Sequence, residues 1–190
     1  PSVKFAKKNL NSELEASYNW IYNQNQFFSG ENIHFIKTHN SLNQYKGNSF
    51  TTNNLSLGAI YIVRDPRNLI TSMTHHYSLS YEQAYKKLID ENASLLEKSR
   101  EGDYSNFSFL GSWSSHFKSW KNCKDFKTLF VKYEDLENNK YDAFKKIVQF
   151  INSLKQDKSS LNEKKFLNSI NSTNFTNLRN KELNEGFEES

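Results

Sequence analysis

The sequence has little cysteine and little net charge. Of its 190 residues only Cys123 is a cysteine, so no disulfide can form within the chain. This composition fits a reducing compartment, and we expect a cytoplasmic protein. The 25 basic and 21 acidic side chains leave a formal net charge of +4. A dedicated nucleic-acid binder carries a stronger basic stripe, so we expect no nucleic-acid partner, whereas a small anionic ligand would suit this charge.

Glycine and long apolar runs are also scarce. The six glycines never form Gly-x-x-x-x-Gly-Lys-Ser/Thr, the phosphate loop that P-loop kinases need. No apolar run approaches the length of a membrane span and no signal peptide is visible, so we expect no membrane span. His75 and His76 are adjacent and would point about 100° apart on a helix, which makes them a poor chelating pair. Without further cysteines or a His-x-x-x-His spacing, we predict no metal site.

The stretch from Ala59 to Tyr77 carries the strongest local pattern. It begins with an apolar, β-branched run that is typical of a buried parallel strand. Asp65 is a suitable helix cap, and Pro66 suits the first helical position. Apolar side chains then recur every four residues, which is helical spacing. The pattern predicts a strand, a sharp turn and a helix, with Arg64 at the junction where α/β proteins gather ligands.

The rest of the chain alternates strands with helices. We expect strands at Ile33–Thr38 and Thr128–Tyr133, and a polar surface loop at 40–57. Helices are predicted around Leu14, Tyr18, Ile21 and Tyr22, over Tyr81–Glu97, over Trp113–Trp120 with Ser112 as cap, around Phe144–Ile151, and over Ser159–Ile170, with another short element at Ser172–Arg179. This order predicts a single α/β domain over residues 1–190, with a central parallel sheet flanked by helices.

Four separated segments resemble, in the same order, the sulfotransferase family that uses 3′-phosphoadenosine 5′-phosphosulfate (PAPS). They are Lys37-Thr38-His39, Tyr61–His76 with Arg64 followed eight residues later by Ser72, Gly111-Ser112-Trp113 with Trp120, and Leu129–Leu136 with its Tyr-Glu-Asp-Leu ending. A shorter match is Thr173-Asn174-Phe175. The resemblance covers residues 33–178 and implies the cytosolic-type sulfotransferase domain, a P-loop-like α/β fold.

The resemblance also implies roles for individual residues. His39 would be the general base, because imidazole titrates near neutrality. Lys37 lies two residues earlier, on the same face of the predicted strand, and would offset charge on the sulfonate oxygens. Arg64 and Ser72 would hold the 3′-phosphate of the donor. The adenine contacts would come from Tyr133, Thr173 and Phe175.

These residues also have structural interpretations. Lys37 is alternatively an exposed strand-end lysine, and Ser72 an ordinary helix-surface serine. Arg64 is alternatively paired with Asp65 or Glu134. Core packing is the alternative for Tyr133, Trp113 and Trp120, and Phe107 and Phe109 would either pack in the core or line an acceptor pocket. Arg67 is alternatively a solvated side chain. Glu134 and Asp135 would cap the next element or bind a basic side chain.

Two family motifs have no counterpart in the sequence. These are the Lys-Ser-Gly-Thr-type loop for the 5′-phosphosulfate and the Gly-x-x-Gly-x-Trp loop that closes over the 3′-phosphate. The sequence therefore resembles the middle of the fold. Either the natural protein extends past residues 1 and 190, or it is a degenerate member that cannot hold the donor normally.

The sequence predicts a PAPS-dependent sulfotransferase that releases 3′-phosphoadenosine 5′-phosphate (PAP). Its acceptor would be a hydroxyl, or an amine, on a small molecule, glycan or lipid. The sequence leaves the acceptor's identity and the oligomeric state open. The alternatives are a non-catalytic sulfotransferase-like module for nucleotide binding or interaction, and another P-loop-type nucleotide enzyme.

Overall fold

The structure is a computed structural model that describes residues 10–27, 33–96, 102–173 and 175–186. It divides into two compact units, residues 1–130 and 131–190. That the whole chain is one domain stays a prediction. The elements of the first unit are α1 (Glu13–Phe27), β1 (Gly58–Val63), α2 (Pro66–Tyr77), α3 (Tyr81–Ile89), β2 (Ser94–Leu96), β3 (Phe107–Phe109) and α4 (Trp113–Lys121). The second unit begins within β4 (Lys127–Lys132) and continues with α5 (Tyr133–Asn138), α6 (Lys140–Lys155), α7 (Glu163–Ser172) and α8 (Phe175–Glu185).

Two small sheets occur in the described residues. β1 and β4 form a two-stranded parallel sheet, which confirms the predicted α/β class. β2 and β3 form a separate antiparallel pair in which Leu95 lies opposite Ser108. The sequence did not predict this pair. β1 is also less buried than predicted, because the side chain of Ile62 is 54% exposed.

An aromatic core fixes α1 against β3. Leu10, Ala16, Trp20 and Phe107 are buried together. The rings of Trp20 and Phe107 are stacked, with their centroids 5.9 Å apart and their planes 1° from parallel. Phe107 therefore packs in the core, which was one of the two roles considered for it. Phe109 and Tyr45 pack against the same cluster.

The buried face of α1 differs from the predicted apolar stripe. Tyr18 and Tyr22, which indicated the helix, are 66% and 60% exposed. The buried face includes the polar residues Ser17 and Gln24. Their polar atoms are satisfied by the following loop, since Asn48 donates to Ser17 Oγ at 2.8 Å and Gln24 donates to the carbonyl of residue 50 at 2.6 Å. Hydrogen bonding across the fold thus determined a face that hydrophobicity alone predicted wrongly.

Two predicted elements are wrong in the first unit. The segment 33–38 forms no strand, because no pairing partner exists for it in the described chain, and residues 33–37 are exposed. The helix predicted over Tyr81–Glu97 ends at Ile89. The sequence after it, with good helix formers, instead pairs with β3 as strand β2. Tertiary pairing has overridden the intrinsic helix preference there.

The second unit is helical after β4. Its packing centres on Tyr141, whose hydroxyl donates to Glu163 Oε2 at 2.8 Å and whose ring meets the edge of Phe166 at a centroid distance of 5.4 Å. Glu134 and Asp135 lie in the first turn of α5, where the helix dipole favours negatively charged side chains. Lys132 is the cap residue of this helix. The predicted helices at Phe144–Ile151 and Ser159–Ile170 correspond to α6 and α7.

Candidate functional site

The junction of β1 and α2 forms as its sequence predicted. Asp65 caps the helix by accepting a hydrogen bond from the backbone N–H of Arg67 at 2.9 Å, and Pro66 is the first helical residue. Arg64 lies between the strand and the cap, and it is half-buried. The exposed N-terminus of a twelve-residue helix follows it directly. Helix N-termini attract anions, and the anion at this one is the carboxylate of Asp65.

The acidic side chain at this turn is engaged by Arg67. Both carboxylate oxygens of Asp65 accept hydrogen bonds from the Arg67 guanidinium. Hydrogen bonds from the Arg67 side chain and then its backbone N–H lower the pKa of Asp65 to about 2. Asp65 thus forms an ion pair with Arg67. Arg67 itself is exposed, so its role at this turn is local.

Ser72 is half-buried in the middle of α2. The hydroxyls of its helical neighbours Thr71 and Thr74 donate back to helix carbonyls at 3.4 and 2.7 Å. Within the described part of the chain, the hydroxyl of Ser72 has no such partner. It is therefore available to a ligand, whereas the two threonine hydroxyls are occupied by the helix.

Lys37 and His39 lie on an irregular segment with exposed side chains. The backbone that follows them is nevertheless fixed. Asn40 and Ser41 are 4% and 1% exposed. Both bond to β3, where the amide of Phe109 donates to Asn40 Oδ1 at 2.9 Å and the amide of Ser41 donates to the Phe109 carbonyl at 2.8 Å. The predicted base thus lies where an exposed segment meets a buried anchor.

Helix α4 supplies the other half of this anchor. Three of its side chains, on one face of the helix, bond to the backbone of residues 39–42. These bonds join His116 Nε2 to the carbonyl of His39 (3.1 Å), Trp120 Nε1 to the carbonyl of Asn40 (3.1 Å), and the amide of Leu42 to Ser119 Oγ (2.9 Å). The start of α4 is itself capped by Ser112, as predicted. The Gly-Ser-Trp segment therefore begins the helix that holds the Lys-Thr-His segment.

His116 also contacts β1. Its Nδ1 lies 2.9 Å from the hydroxyl of Tyr61, and the two rings are 5.7 Å apart. Tyr61 packs further against Phe117, Trp120 and Phe130. Burial lowers the pKa of His116 and raises the pKa of Tyr61 to about 12. Both groups are therefore neutral near pH 7.

The sequence did not identify His116 as a site residue. It was indicated only by its position three residues after Trp113, which places it on the helix that the Gly-Ser-Trp segment opens. Its partners, His39 and Tyr61, lie 77 and 55 residues away in the chain. No local pattern reports a contact of that range. Trp120, which was predicted to pack in the core or contact a ligand, is buried at 7% exposure.

The three predicted adenine contacts lie in the second unit. Tyr133 is half-buried and begins α5 directly after the end of β4. Thr173 is exposed at the end of α7, where its hydroxyl donates to the carbonyl of Ser169 at 2.8 Å. Phe175 begins α8, and its side chain lies outside the described residues. Their adenine contacts stay predictions.

Other candidate features were sought in the described ranges. No group of three or more His, Cys, Asp or Glu side chains is placed to hold a metal ion there. Among the helices described, none combines the length and apolar character needed to cross a bilayer. The first unit has a cavity of about 370 Å³, lined by Glu13, Gln44, Tyr45, Lys46, Asn92, Ser94 and Phe109. Of these residues, Phe109 is the one that the sequence also suggested for an acceptor pocket.

Known proteins resemble this chain in sequence and in fold. The model of the sulfotransferase domain family matches residues 9–189. Mouse sulfotransferase 1 family member D1 is 28% identical over 117 residues, which is 61% of this chain and 36% of that protein. The crystal structure of mouse sulfotransferase SULT7A1 complexed with PAP shares the fold, with a TM-score of 0.57 and 21% identity over 81% of this chain and 50% of its own. The chain thus spans half or less of these relatives. Since the family match covers nearly the whole sequence, the chain belongs to the sulfotransferase domain family.

Proposed function

We propose that the protein transfers a sulfuryl group from PAPS to a hydroxyl or amine acceptor and releases PAP. The observation that carries this proposal is the family match over residues 9–189, because that range contains every predicted site residue. The related mouse SULT7A1 structure is described as a complex with PAP. The acceptor would be a small molecule, or a glycan or lipid carrying the reactive group.

The transfer requires one bond to form as another breaks. The acceptor oxygen attacks sulfur, the bridging S–O bond to the 5′-phosphate breaks, and its electron pair stays on PAP. The acceptor proton passes to the imidazole of His39, which is exposed and so accessible to an acceptor. Lys37, exposed two residues earlier, would offset negative charge on the transferred group. Catalysis of this kind depends chiefly on positioning and charge stabilisation, as in phosphoryl transfer.

The β1–α2 junction would hold the 3′-phosphate of the donor. Arg64 offers a planar fork of N–H donors, and Ser72 offers a hydroxyl that the helix does not use. The start of α2 contributes little to this site, because Pro66 has no N–H and the N–H of Arg67 donates to Asp65. Tyr133, Thr173 and Phe175 would contact the adenine, with aromatic rings stacking on the base.

Calorimetry with PAP tests the donor site. We expect the wild-type protein to bind PAP and Arg64→Ala to bind it about 10-fold to 100-fold more weakly, the cost of losing a charge-assisted hydrogen bond. Arg64→Lys keeps the charge but not the fork and should fall between them. Arg67→Ala is the matched control, because its guanidinium is committed to Asp65. It should bind PAP like the wild type.

Two results would overturn this site. One is the absence of PAP binding by the wild-type protein. The other is an equal loss of affinity in Arg64→Ala and Arg67→Ala, since a local ion pair would then explain both. PAP binding without any transfer from PAPS to a panel of phenols, alcohols and amines would favour the non-catalytic module instead.

A further inference from the structure

The imidazole of His116 connects three separate parts of the first unit. It lies on α4, and its two nitrogens face the carbonyl of His39 and the hydroxyl of Tyr61. A carbonyl oxygen can only accept a hydrogen bond, so Nε2 must carry the proton. In a neutral imidazole the other nitrogen is then an acceptor. Nδ1 therefore accepts from the Tyr61 hydroxyl, and the His39 carbonyl determines which tautomer is present.

We propose that His116 is a positioning residue for sulfuryl transfer: its Nε2–H holds the peptide carbonyl of His39, while its Nδ1 accepts from Tyr61. The inference rests on the proposed role of His39 as base. It adds that the base is placed through its own backbone, by a side chain from another element.

The location of His39 explains why such a contact matters. Residues 33–37 are exposed and irregular. The amide half of the His39–Asn40 peptide is held by the preceding residue, because the N–H of Asn40 donates to Thr38 Oγ1 at 3.0 Å. The carbonyl half of that peptide is held by His116, and the other bonds of the anchor reach residues 40–42. Freedom in that peptide would spread the imidazole over orientations that miss the acceptor proton, and a misplacement of about 1 Å costs up to about 100-fold in rate.

The surroundings of His116 keep it suited to this task. Tyr61 is packed among aromatic rings, and burial keeps its phenol protonated as a donor well above pH 7. The imidazole is half-buried, and its burial disfavours the charged form. A protonated imidazole would present an N–H to the phenol oxygen and would no longer accept from it. The neutral, single-tautomer state is thus the one that the packing selects.

Two substitutions separate the nitrogens of His116. Glutamine places an amide near the position of Nε2 and can keep the bond to the His39 carbonyl, whereas asparagine reaches only the position of Nδ1. We expect His116→Asn to lower kcat about 10-fold to 100-fold, with PAP affinity and the KM for PAPS within about twofold of wild type. His116→Gln should recover most of that loss. His76→Gln, an exposed histidine on α2, is the matched control and should leave kcat unchanged.

Nuclear magnetic resonance tests the geometry without any turnover. The ¹⁵N shifts of His116 should show a protonated Nε2 and an unprotonated Nδ1. Tyr61→Phe should shift the Nδ1 signal, because its donor is lost, and should leave Nε2 protonated. The ¹³C shift of the His39 carbonyl should move in His116→Asn and return in His116→Gln. If the wild type is active and the Gln and Asn variants have the same kcat as each other, the inference is overturned. An imidazole of His116 that is protonated at Nδ1 would also overturn it. A wild-type protein that transfers nothing would contradict the proposed function, while the ¹⁵N and ¹³C shifts would still decide whether His116 holds the His39 peptide.

Discussion

The protonation state of His116 follows from what surrounds it. Burial is the main cause that lowers its pKa, and the hydrogen bond to the His39 carbonyl opposes that shift. An unfolded histidine titrates near pH 6.5, so between the folded pKa and about 6.5 the unfolded state binds more protons. The free energy of unfolding then rises with pH in this window. The stabilising contribution is complete above about 6.5 and is lost as the pH falls through the folded pKa.

Urea unfolding between pH 5 and 8 checks this expectation. The wild-type free energy of unfolding should fall as the pH drops below about 6.5. His116→Gln removes the titrating group and should flatten that dependence. His76→Gln removes an exposed histidine and should keep the wild-type slope. A pH dependence that is unchanged in His116→Gln would contradict the assigned burial effect.

Single residues were predictable where their chemistry is local. Asp65, Pro66 and Ser112 were identified as helix-start residues because capping involves atoms within three positions of the cap. His116 and Asn40 were not identified, since their partners lie on distant elements. The same limit applies to Gln24, a buried polar residue whose acceptor is 26 residues away. A sequence pattern contains no signal for such a partner.

At the scale of elements, the β1–α2 unit formed as predicted because strand pattern, cap and helix periodicity agree. The helix prediction for the stretch after Ile89 was wrong, because residues with high helix propensity pair there with a strand. The strand prediction for the segment 33–38 was wrong for the opposite reason, the absence of a strand partner in the described chain. Its β-branched and aromatic residues have strand propensity, yet without a paired neighbour in the described chain this propensity produces no ladder.

The turn before α4 gives a prediction at this scale. Gly111 has φ +67°, and a Cβ there would lie 2.8 Å from Ser115 Oγ and 3.5 Å from the carbonyl of Glu91. Gly111→Ala should therefore cost backbone strain of about 1–2 kcal/mol and, in addition, displace the Ser115 hydroxyl at the helix start. Gly102 has φ +76° with nothing within 4 Å of its added Cβ. Gly102→Ala should thus lose stability through backbone strain alone.

Urea unfolding of both alanine variants separates these two costs. We expect Gly111→Ala to lose more stability than Gly102→Ala, by the steric cost at Ser115. Equal losses would mean that the hydroxyl moves aside freely. A gain in stability for Gly111→Ala would contradict the left-handed conformation assigned to this turn.

For the whole molecule, the α/β class and the order of the family segments were predictable from the sequence. Alternating patterns determine the class, and ordered motifs survive low overall identity. The docking of residues 39–42 on α4 and β3 was not predictable, because its hydrogen bonds join residues that are 68 or more positions apart in the chain. That docking brings the Lys-Thr-His and Gly-Ser-Trp segments together in one unit. Their joint occurrence in the sequence thereby acquires a physical reason.

The central claim is that His39 performs chemistry and does not hold the nucleotide. It is tested by measuring sulfuryl transfer from PAPS and PAP affinity in the same His39→Ala protein, with His76→Ala as the matched control. We expect transfer to be abolished while the Kd for PAP stays within about twofold of wild type, because the imidazole acts on the acceptor proton and not on the donor's phosphates. Parallel loss of transfer and PAP affinity would contradict the account and make His39 a structural residue.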